Sequence, residues 1–320
     1  MAKLQSSILF VLLIIIAGVL PFFLNDYYLM TIISSLVIAG LALSWAMLSN
    51  LGGLTSFGHA AFFGIASYAS AIVTMRCGVP VLIAIPFAAI IAALSAVLML
   101  PIIRLSGSYF ALAILGYAQI FYGLAVEMPQ WTNGPAGISS IPPLPEVLGI
   151  DFSQRLSAYF LMLVIILIIA FIYGFILRSR TGLALKAIAE SEDASLVVGV
   201  NAVRLKFLIL LLSAFIAGLI GAFNTHLIGS LNPDDAFSAN WSLLPIIAAI
   251  FGGARTLWGP VIGAVVIYLF DQIVAKEFFA IVFHTSVGHQ IILGIILALL
   301  ILLAPDGLLS LFFRNRKAHA

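Results

Sequence analysis

The stretch LSAYFLMLVIILIIAFIYGFIL (156–177) decides the fold class, because it contains no charged residue over its whole length. A helix of about 20 apolar residues crosses the roughly 30 Å hydrocarbon core of a bilayer. In lipid the backbone must satisfy its own hydrogen bonds, which an α-helix does within one segment. The stretch therefore predicts a membrane-spanning helix.

The rest of the chain has the same character. Of 320 residues, 63% are hydrophobic and 8% are charged, and the mean hydropathy is +1.24. Soluble domains are about one quarter charged, so lipid must be the solvent for much of this chain. The net charge of +2 gives no reason to expect nucleic acid as a partner, and the single Cys77 excludes an intramolecular disulfide.

We expect an all-α integral membrane protein of about ten segments, with short or broken helices around two Gly-Gly motifs. Seven segments approach full spanning length: 8–24, 29–49, 60–75, 81–103, 109–126, 156–177 and 207–228. Two shorter segments follow at 241–251 and 260–274, and the last covers 287–304. The first segment is interpreted as a retained helix and not as a secretory signal, because no small-x-small cleavage site follows it.

The basic residues predict the orientation. A cytoplasmic N-terminus leaves only three of them outside, namely Arg76, Arg155 and Lys276. It places the others inside: Lys3, Arg104, Arg178, Arg180, Lys186, Arg204, Lys206, Arg255, Arg314, Arg316 and Lys317. This positive-inside bias predicts that both termini are cytoplasmic. A re-entrant hairpin at 241–274 would leave the orientation unchanged, whereas one long helix there would reverse the C-terminus.

Two loops are long enough to have a role of their own. The external loop 127–155 is rich in turn formers, and it fits either a connector or a docking or gating surface. The internal loop 178–206 carries apolar residues at helical spacing between its charges, which predicts one or two short amphipathic helices on the cytoplasmic side. Such helices either rest in the headgroups or serve as a handle for a soluble partner.

Two glycine motifs interrupt the predicted helices. NLGGLTSFGH (50–59) and FGGARTLWGP (251–260) each combine a Gly-Gly pair with an aromatic-Gly step a few residues later. Glycine permits backbone conformations that break a helix, and broken helices at membrane depth are common along substrate paths. The likeness of the motifs hints at an internal duplication, although close helix packing also favours glycine.

The chain carries no recognisable catalytic machinery. It has no phosphate-binding loop, because no Gly-Lys step occurs, and it has no zinc-protease motif or nucleophile elbow. We therefore expect no enzyme activity, no cofactor and no metal.

Polar residues within the predicted spans are the candidates for function. Asp271 either reaches the interface, pairs with Lys276 or has a functional role. For His59, His226 and His289, a hydrogen-bonded structural role is favoured over proton relay. Other polar residues fit interhelical hydrogen bonds as well as pore contacts: Ser44, Trp45, Ser56, Tyr68, Tyr117, Gln119 and Asn224. With the glycine motifs, they suggest a translocation path lined by Ser56, Gly58, His59, Tyr68, Gln119, Asn224, Gly252 and Gly253.

Several motifs together resemble one transporter family, in its order and over nearly the whole chain. They are GLTSFGHAAFFGIASYASAIV (53–73), SGSYFALAILGYAQI (106–120), TNGPAGISSIP (132–142), RSRTGLALKAIAESEDASLVVGVN (178–201), FGGARTLWGPVIGA (251–264) and APDGLLSLF (304–312). The chain resembles the LivM-type permease subunit of branched-chain amino acid ABC importers.

The resemblance implies a single transmembrane permease domain over 1–320, in the plasma (inner) membrane of a prokaryote. Its implied partners are a second permease of the LivH type, two cytoplasmic ATPase subunits and an external substrate-binding protein. It also implies that loop 178–206 couples the permease to an ATPase, through Arg180, Gly182, Lys186, Glu190, Ala194 and Gly199. The loop departs from the fuller Glu-Ala-Ala form of the family signature, reading ESEDA at 190–194.

The implied cargo is leucine, isoleucine or valine. Close relatives resemble urea and short-amide importers, which is the first alternative. A proton-coupled secondary transporter that works through Asp271 or a histidine, without any partner, is the second.

Overall fold

The computed structural model describes residues 18–105, 107–275 and 294. The helices are Asp26–Gly52 (α1), His59–Cys77 (α2), Val81–Ser95 (α3), Ser108–Glu127 (α4), Pro129–Thr132 (α5), Arg155–Arg178 (α6), Arg180–Glu190 (α7), Glu192–Val197 (α8), Ala202–Ile228 (α9), Pro233–Ala236 (α10), Asn240–Gly252 (α11) and Gly259–Leu269 (α12). Two-residue strands occur at Ile138–Ser139 (β1), Glu146–Val147 (β2), Ile150–Asp151 (β3) and Ser230–Leu231 (β4).

Seven stretches of the described chain are helical, long and apolar enough to cross a membrane. They are α1, α2, α4, α6, α9, the extended α3 region Val81–Met99 and the α10–α11 region Pro233–Gly252. A shorter apolar helix follows at Gly259–Ile273. The all-α membrane class is thus confirmed.

The predicted count of about ten segments is not confirmed. The segment predicted at 287–304 lies outside the described residues, apart from Gly294, and so does most of 8–24. The described end of that first segment is a 3₁₀ turn, Leu20–Phe23, with Pro21 near its start. Helix α11 covers the segment predicted at 241–251. The apolar span is longer than expected, because it includes α10 and begins at Pro233.

Helix α1 is the buried centre of the bundle, and it packs against α6, α9, α11 and α12. Small residues allow these contacts. At Gly40 on α1, for example, an added Cβ would lie 2.6 Å from the Ile220 side chain of α9. Close packing at small residues is the usual way in which membrane helices associate, since lipid supplies no hydrophobic drive between them.

Three other helices expose apolar side chains. Leu98 after α3, Leu112 on α4 and Phe171 on α6 are 64%, 66% and 74% exposed. Such a surface fits lipid or a second membrane protein, and not water.

Charged residues lie at both ends of the bundle, and the orientation given by the positive-inside bias stays a prediction. At one end, Arg155 lies 3.8 Å from Asp26, and Arg76 donates a hydrogen bond to the Gln130 carbonyl. The opposite end of α6 carries Arg178, and α7 follows it directly. Both termini lie outside the described residues, so their cytoplasmic location stays a prediction.

The external loop is fastened to the bundle by short strands. Strand β1 pairs antiparallel with β4, and β2 pairs with β3. In the second hairpin, hydrogen bonds from Ser153 hold the pKa of the exposed Asp151 below its ordinary value. The loop is therefore an ordered outer cap.

Candidate functional site

The first glycine motif breaks the chain between α1 and α2, as predicted. Helix α1 ends at Gly52, and Gly53 follows in the left-handed region at φ +65°. The Trp45 indole donates a 2.9 Å hydrogen bond to the Ser56 carbonyl. Because Trp45 precedes the end of α1 by two helical turns, the chain has re-entered the bundle by about 10 Å before α2 begins. This segment is called the first junction (Gly53–Gly58).

A buried polar cluster surrounds the first junction. The His59 Nδ1 lies 2.9 Å from Ser56 Oγ, and its Nε2 lies 3.0 Å from Ser213 Oγ on α9. The Ser213 hydroxyl also lies 2.9 Å from the Ser44 hydroxyl on α1. Both ring nitrogens of His59 therefore have hydrogen-bond partners inside the protein, as is usual for buried polar groups. Through these contacts the cluster joins α1, α2 and α9.

The second glycine motif forms a similar break between α11 and α12. Gly253 has φ +102°, and Thr256 Oγ1 accepts a 2.9 Å bond from the Gly259 N–H. In the first junction, Ser56 Oγ accepts from the Gly58 N–H at 3.3 Å. This segment is called the second junction (Gly253–Trp258). The two junctions share a left-handed glycine and a hydroxyl-capped turn.

The two junctions lie side by side. The Asn50 side-chain amide, near the end of α1, donates to the Ala254 carbonyl of the second junction. It also donates a 3.0 Å bond to the Tyr173 hydroxyl on α6. One amide thus connects the end of α1 to the second junction and to α6.

The internal loop folds as two short helices, as predicted. Side chains cap both N-termini: Ser179 accepts from the Gly182 N–H on α7, and Ser191 accepts from the Ala194 N–H on α8. Leu185 and Ile188, both on α7, are buried. Helix α7 rests on the first junction, where a Cβ added to Gly53 would lie 3.2 Å from the Ala189 Cα.

The outer face of this helix pair is exposed and partly apolar. Leu183 and Val197, both expected at helical spacing in an apolar stripe, are 63% and 90% exposed. Five of the predicted coupling residues share this exposure, namely Arg180, Lys186, Glu190, Ala194 and Gly199. The sixth, Gly182, is buried. It also has no room for a side chain, since an added Cβ would lie 2.0 Å from the Ile176 carbonyl oxygen.

The structure does not bring the predicted path residues into one channel. Ser56 and Gly58 belong to the first junction, and His59 begins α2 directly after it. A Cβ on Gly58 would lie 2.3 Å from the Ile114 carbonyl oxygen. Gly252 and Gly253 belong to the end of α11, Gln119 is exposed on α4, Asn224 is buried in α9, and Tyr68 lines an outer cavity. Whether they line a path stays a prediction.

His226 fastens the outer end of α9. Its Nε2 lies 2.7 Å from Ser70 Oγ on α2, and its Nδ1 lies 2.7 Å from the Pro142 carbonyl of the external loop. Neither Ser70 nor Ser213 was among the predicted functional residues. The only available signal was a serine within an apolar helix, which does not identify its partner.

Asp271 is buried, with 4% exposure, and its Oδ2 accepts a 3.1 Å bond from the Gln272 side chain. Its suggested partner Lys276 and the remaining histidine His289 lie outside the described residues. Within 18–105 and 107–275, no group of three or more His, Cys, Asp and Glu side chains is placed to hold a metal ion.

Comparison with known proteins supplies the family. Residues 27–304 match the family model described as the branched-chain amino acid transport system / permease component. The chain belongs to this permease family. The permease resembles LivM, the high-affinity branched-chain amino acid transport system permease protein of Salmonella typhimurium and of Escherichia coli, at 25% identity to each. Each alignment covers 96% of the permease and 76% of the relative.

A third relative is BraD, the corresponding permease protein of Pseudomonas aeruginosa. It is 25% identical over 89% of this permease and 96% of its own length. No solved structure matches the permease significantly. The comparisons confirm the LivM-type resemblance, and the family is a class of transport permeases and not of enzymes.

Proposed function

We propose that this permease is a subunit of an ABC importer that carries leucine, isoleucine or valine into a prokaryotic cell across the inner membrane. The family match over residues 27–304 and the names of the relatives support this cargo and direction. The observation that carries the proposal is the exposed α7–α8 pair, which is seated on the first junction of a polytopic bundle. In an ABC importer a partner subunit hydrolyses ATP. The permease couples that hydrolysis to the opening of the substrate path on one side of the membrane or the other.

The α7–α8 surface is the docking site for a cytoplasmic ATPase. Its apolar centre consists of Leu196, Val197 and Val198, which are 54%, 90% and 82% exposed. Charged side chains at Arg180 and Lys186 lie on the neighbouring helix. A patch of exposed apolar groups rimmed by charge is typical of a protein interface.

Movement of the docked helices reaches the bundle through the Gly53–Ala189 contact. The first junction lies directly against α7, and the second is held to the end of α1 by Asn50. Displacement of α7 therefore acts on both breaks in the helices. Breaks at membrane depth are the segments whose geometry changes most readily during alternating access.

The remaining partners are a second permease of the LivH type and an external substrate-binding protein. The exposed apolar faces of α3, α4 and α6 offer lateral surface for the second permease. The ordered external loop, with Leu148 at 98% exposure, offers a surface for the binding protein. A second ATPase docks on the second permease.

The variant Val197→Asp tests the docking surface. A charge at the centre of the apolar patch opposes burial against the ATPase, so ATPase retention on the purified membrane complex and ATP-driven leucine uptake should each fall about tenfold or more. Leu148→Asp is the matched control for ATPase retention, which it should leave unchanged, since it places the same charge on an exposed apolar side chain at the opposite face. Unchanged ATPase retention and uptake in Val197→Asp would contradict the proposal.

A further inference from the structure

A cavity of about 330 Å³ lies in the outer half of the bundle. Its walls come from α2 and α4, with Ile65, Ile72 and Leu124 among the lining side chains, and its outer rim comes from Trp131. The volume falls within the roughly 300–1,000 Å³ of small-molecule sites, which are mostly apolar with a few polar groups. The walls suit an aliphatic group.

Tyr68 is one of the residues that line this cavity. Tyr68 is 5% exposed, and its hydroxyl has no hydrogen-bond partner in the part of the chain that the structure describes. Its ring stacks on Phe237, with centroids 6.0 Å apart, so the position of the phenol is fixed. Because buried hydroxyl groups are normally paired, this hydroxyl is suited to a ligand.

Opposite charges flank the outer part of the cavity. The Asp234 carboxylate, on the short helix α10 that packs against α2 and α4, accepts a 2.9 Å bond from the Tyr122 hydroxyl. At the rim, the Arg76 guanidinium carbon lies 5.1 Å from the centroid of the Trp131 ring. An anion and a cation beside an apolar cavity match the ammonium and carboxylate groups of an amino acid.

We propose that this cavity is the outer entry site for the transported amino acid. Its apolar walls take the branched aliphatic side chain, and the Tyr68 hydroxyl with the flanking charges takes the groups on the α-carbon. The proposal rests on the proposed function, because it needs an aliphatic amino acid as cargo. It places the substrate above the first junction.

Two substitutions in the complete importer, reconstituted in vesicles with its ATPases and binding protein, test the site. Tyr68→Phe removes the hydroxyl alone, and we expect leucine uptake to fall about fivefold or more without a fall in the unfolding temperature, because no internal hydrogen bond is lost. Ala69→Phe fills part of the cavity, and leucine uptake should fall more than valine uptake, because leucine is larger. The unfolding temperature is measured for each variant.

Tyr117→Phe is the matched control, because it removes a buried hydroxyl from α4 that does not line the cavity. Its uptake should stay within twofold of the parent. Uptake within twofold in both cavity variants overturns the entry site, and so does an equal loss in Tyr117→Phe. If the parent importer takes up none of the three amino acids, the proposed function itself fails.

Discussion

At the scale of single residues, Lys206 fastens the α7–α8 pair to the bundle. It lies in the first turns of α9 and is 6% exposed, and its Nζ is 2.6 Å from Glu192 Oε2 on α8. A buried ammonium without a counter-charge is costly, so the pair fixes where α8 can lie. The Glu192 side chain is 36% exposed, so water reaches that half of the pair.

Glu192→Ala should lower the free energy of unfolding by about 1–3 kcal/mol, because it leaves Lys206 buried and unpaired. The partial exposure of the pair keeps the expected loss below that of a fully buried one. Chemical denaturation in detergent measures it. Asp193→Ala is the control, since Asp193 takes part in neither ion pair of the described residues. Equal losses in the two variants would show that the ion pair contributes nothing specific.

The sequence could identify polar residues but not their partners. Ser44 and His59 were predicted as polar positions, whereas Ser213 was not, because the contacts among the three depend on how α1, α2 and α9 pack. The unpartnered hydroxyl of Tyr68 depends on the same packing. Partner identity is a tertiary property, which residue type and spacing do not specify.

At the scale of elements, glycine sets the distance between α2 and α9. A Cβ on Gly221 would lie 2.4 Å from the Phe63 carbonyl oxygen, which is backbone and cannot move aside. On α4, by contrast, a Cβ on Gly123 would meet nothing within 4 Å. Gly221 therefore has no room for a side chain, whereas Gly123 has room for one.

Gly221→Ala should destabilise the bundle by about 1–3 kcal/mol, because α2 and α9 must separate to admit the methyl group. Gly123→Ala is its control, and it should stabilise by up to about 1 kcal/mol, since alanine favours the helix. Thermal unfolding in detergent measures both. A neutral Gly221→Ala would mean that the two helices are not in close contact.

The ends of the long apolar helices were the structural feature that the sequence predicted best. The stretches 109–126 and 156–177 became Ser108–Glu127 and Arg155–Arg178, because lipid thickness and flanking charges define where a span ends. The pairing of β1 with β4 was not predictable. Two-residue strands carry no periodic pattern, and these are separated by two long helices and the α7–α8 pair.

At the scale of the whole molecule, the buried histidines of the described residues tie helices and loop together. Both described buried histidines, His59 and His226, have hydrogen-bond partners on both ring nitrogens. A relay requires groups that exchange protons with water on each side.

The permease alone, in liposomes with a pH gradient, should accumulate no leucine, isoleucine or valine. The complete importer supplied with ATP and binding protein should accumulate at least one of them, because the work comes from the ATPases. Radiolabelled uptake measures both, and liposomes without protein give the background. Accumulation by the permease alone would favour a secondary transporter.

Helix α9 is a rod of about 40 Å that is tied at both ends. His226 holds its outer end to the external loop, and Lys206 holds its inner end to α8. Events at the two faces of the membrane therefore share one rigid body. In the proposed importer, thermodynamic linkage makes their influence mutual: the factor by which nucleotide changes the affinity for the binding protein equals the factor by which that protein changes the affinity for nucleotide.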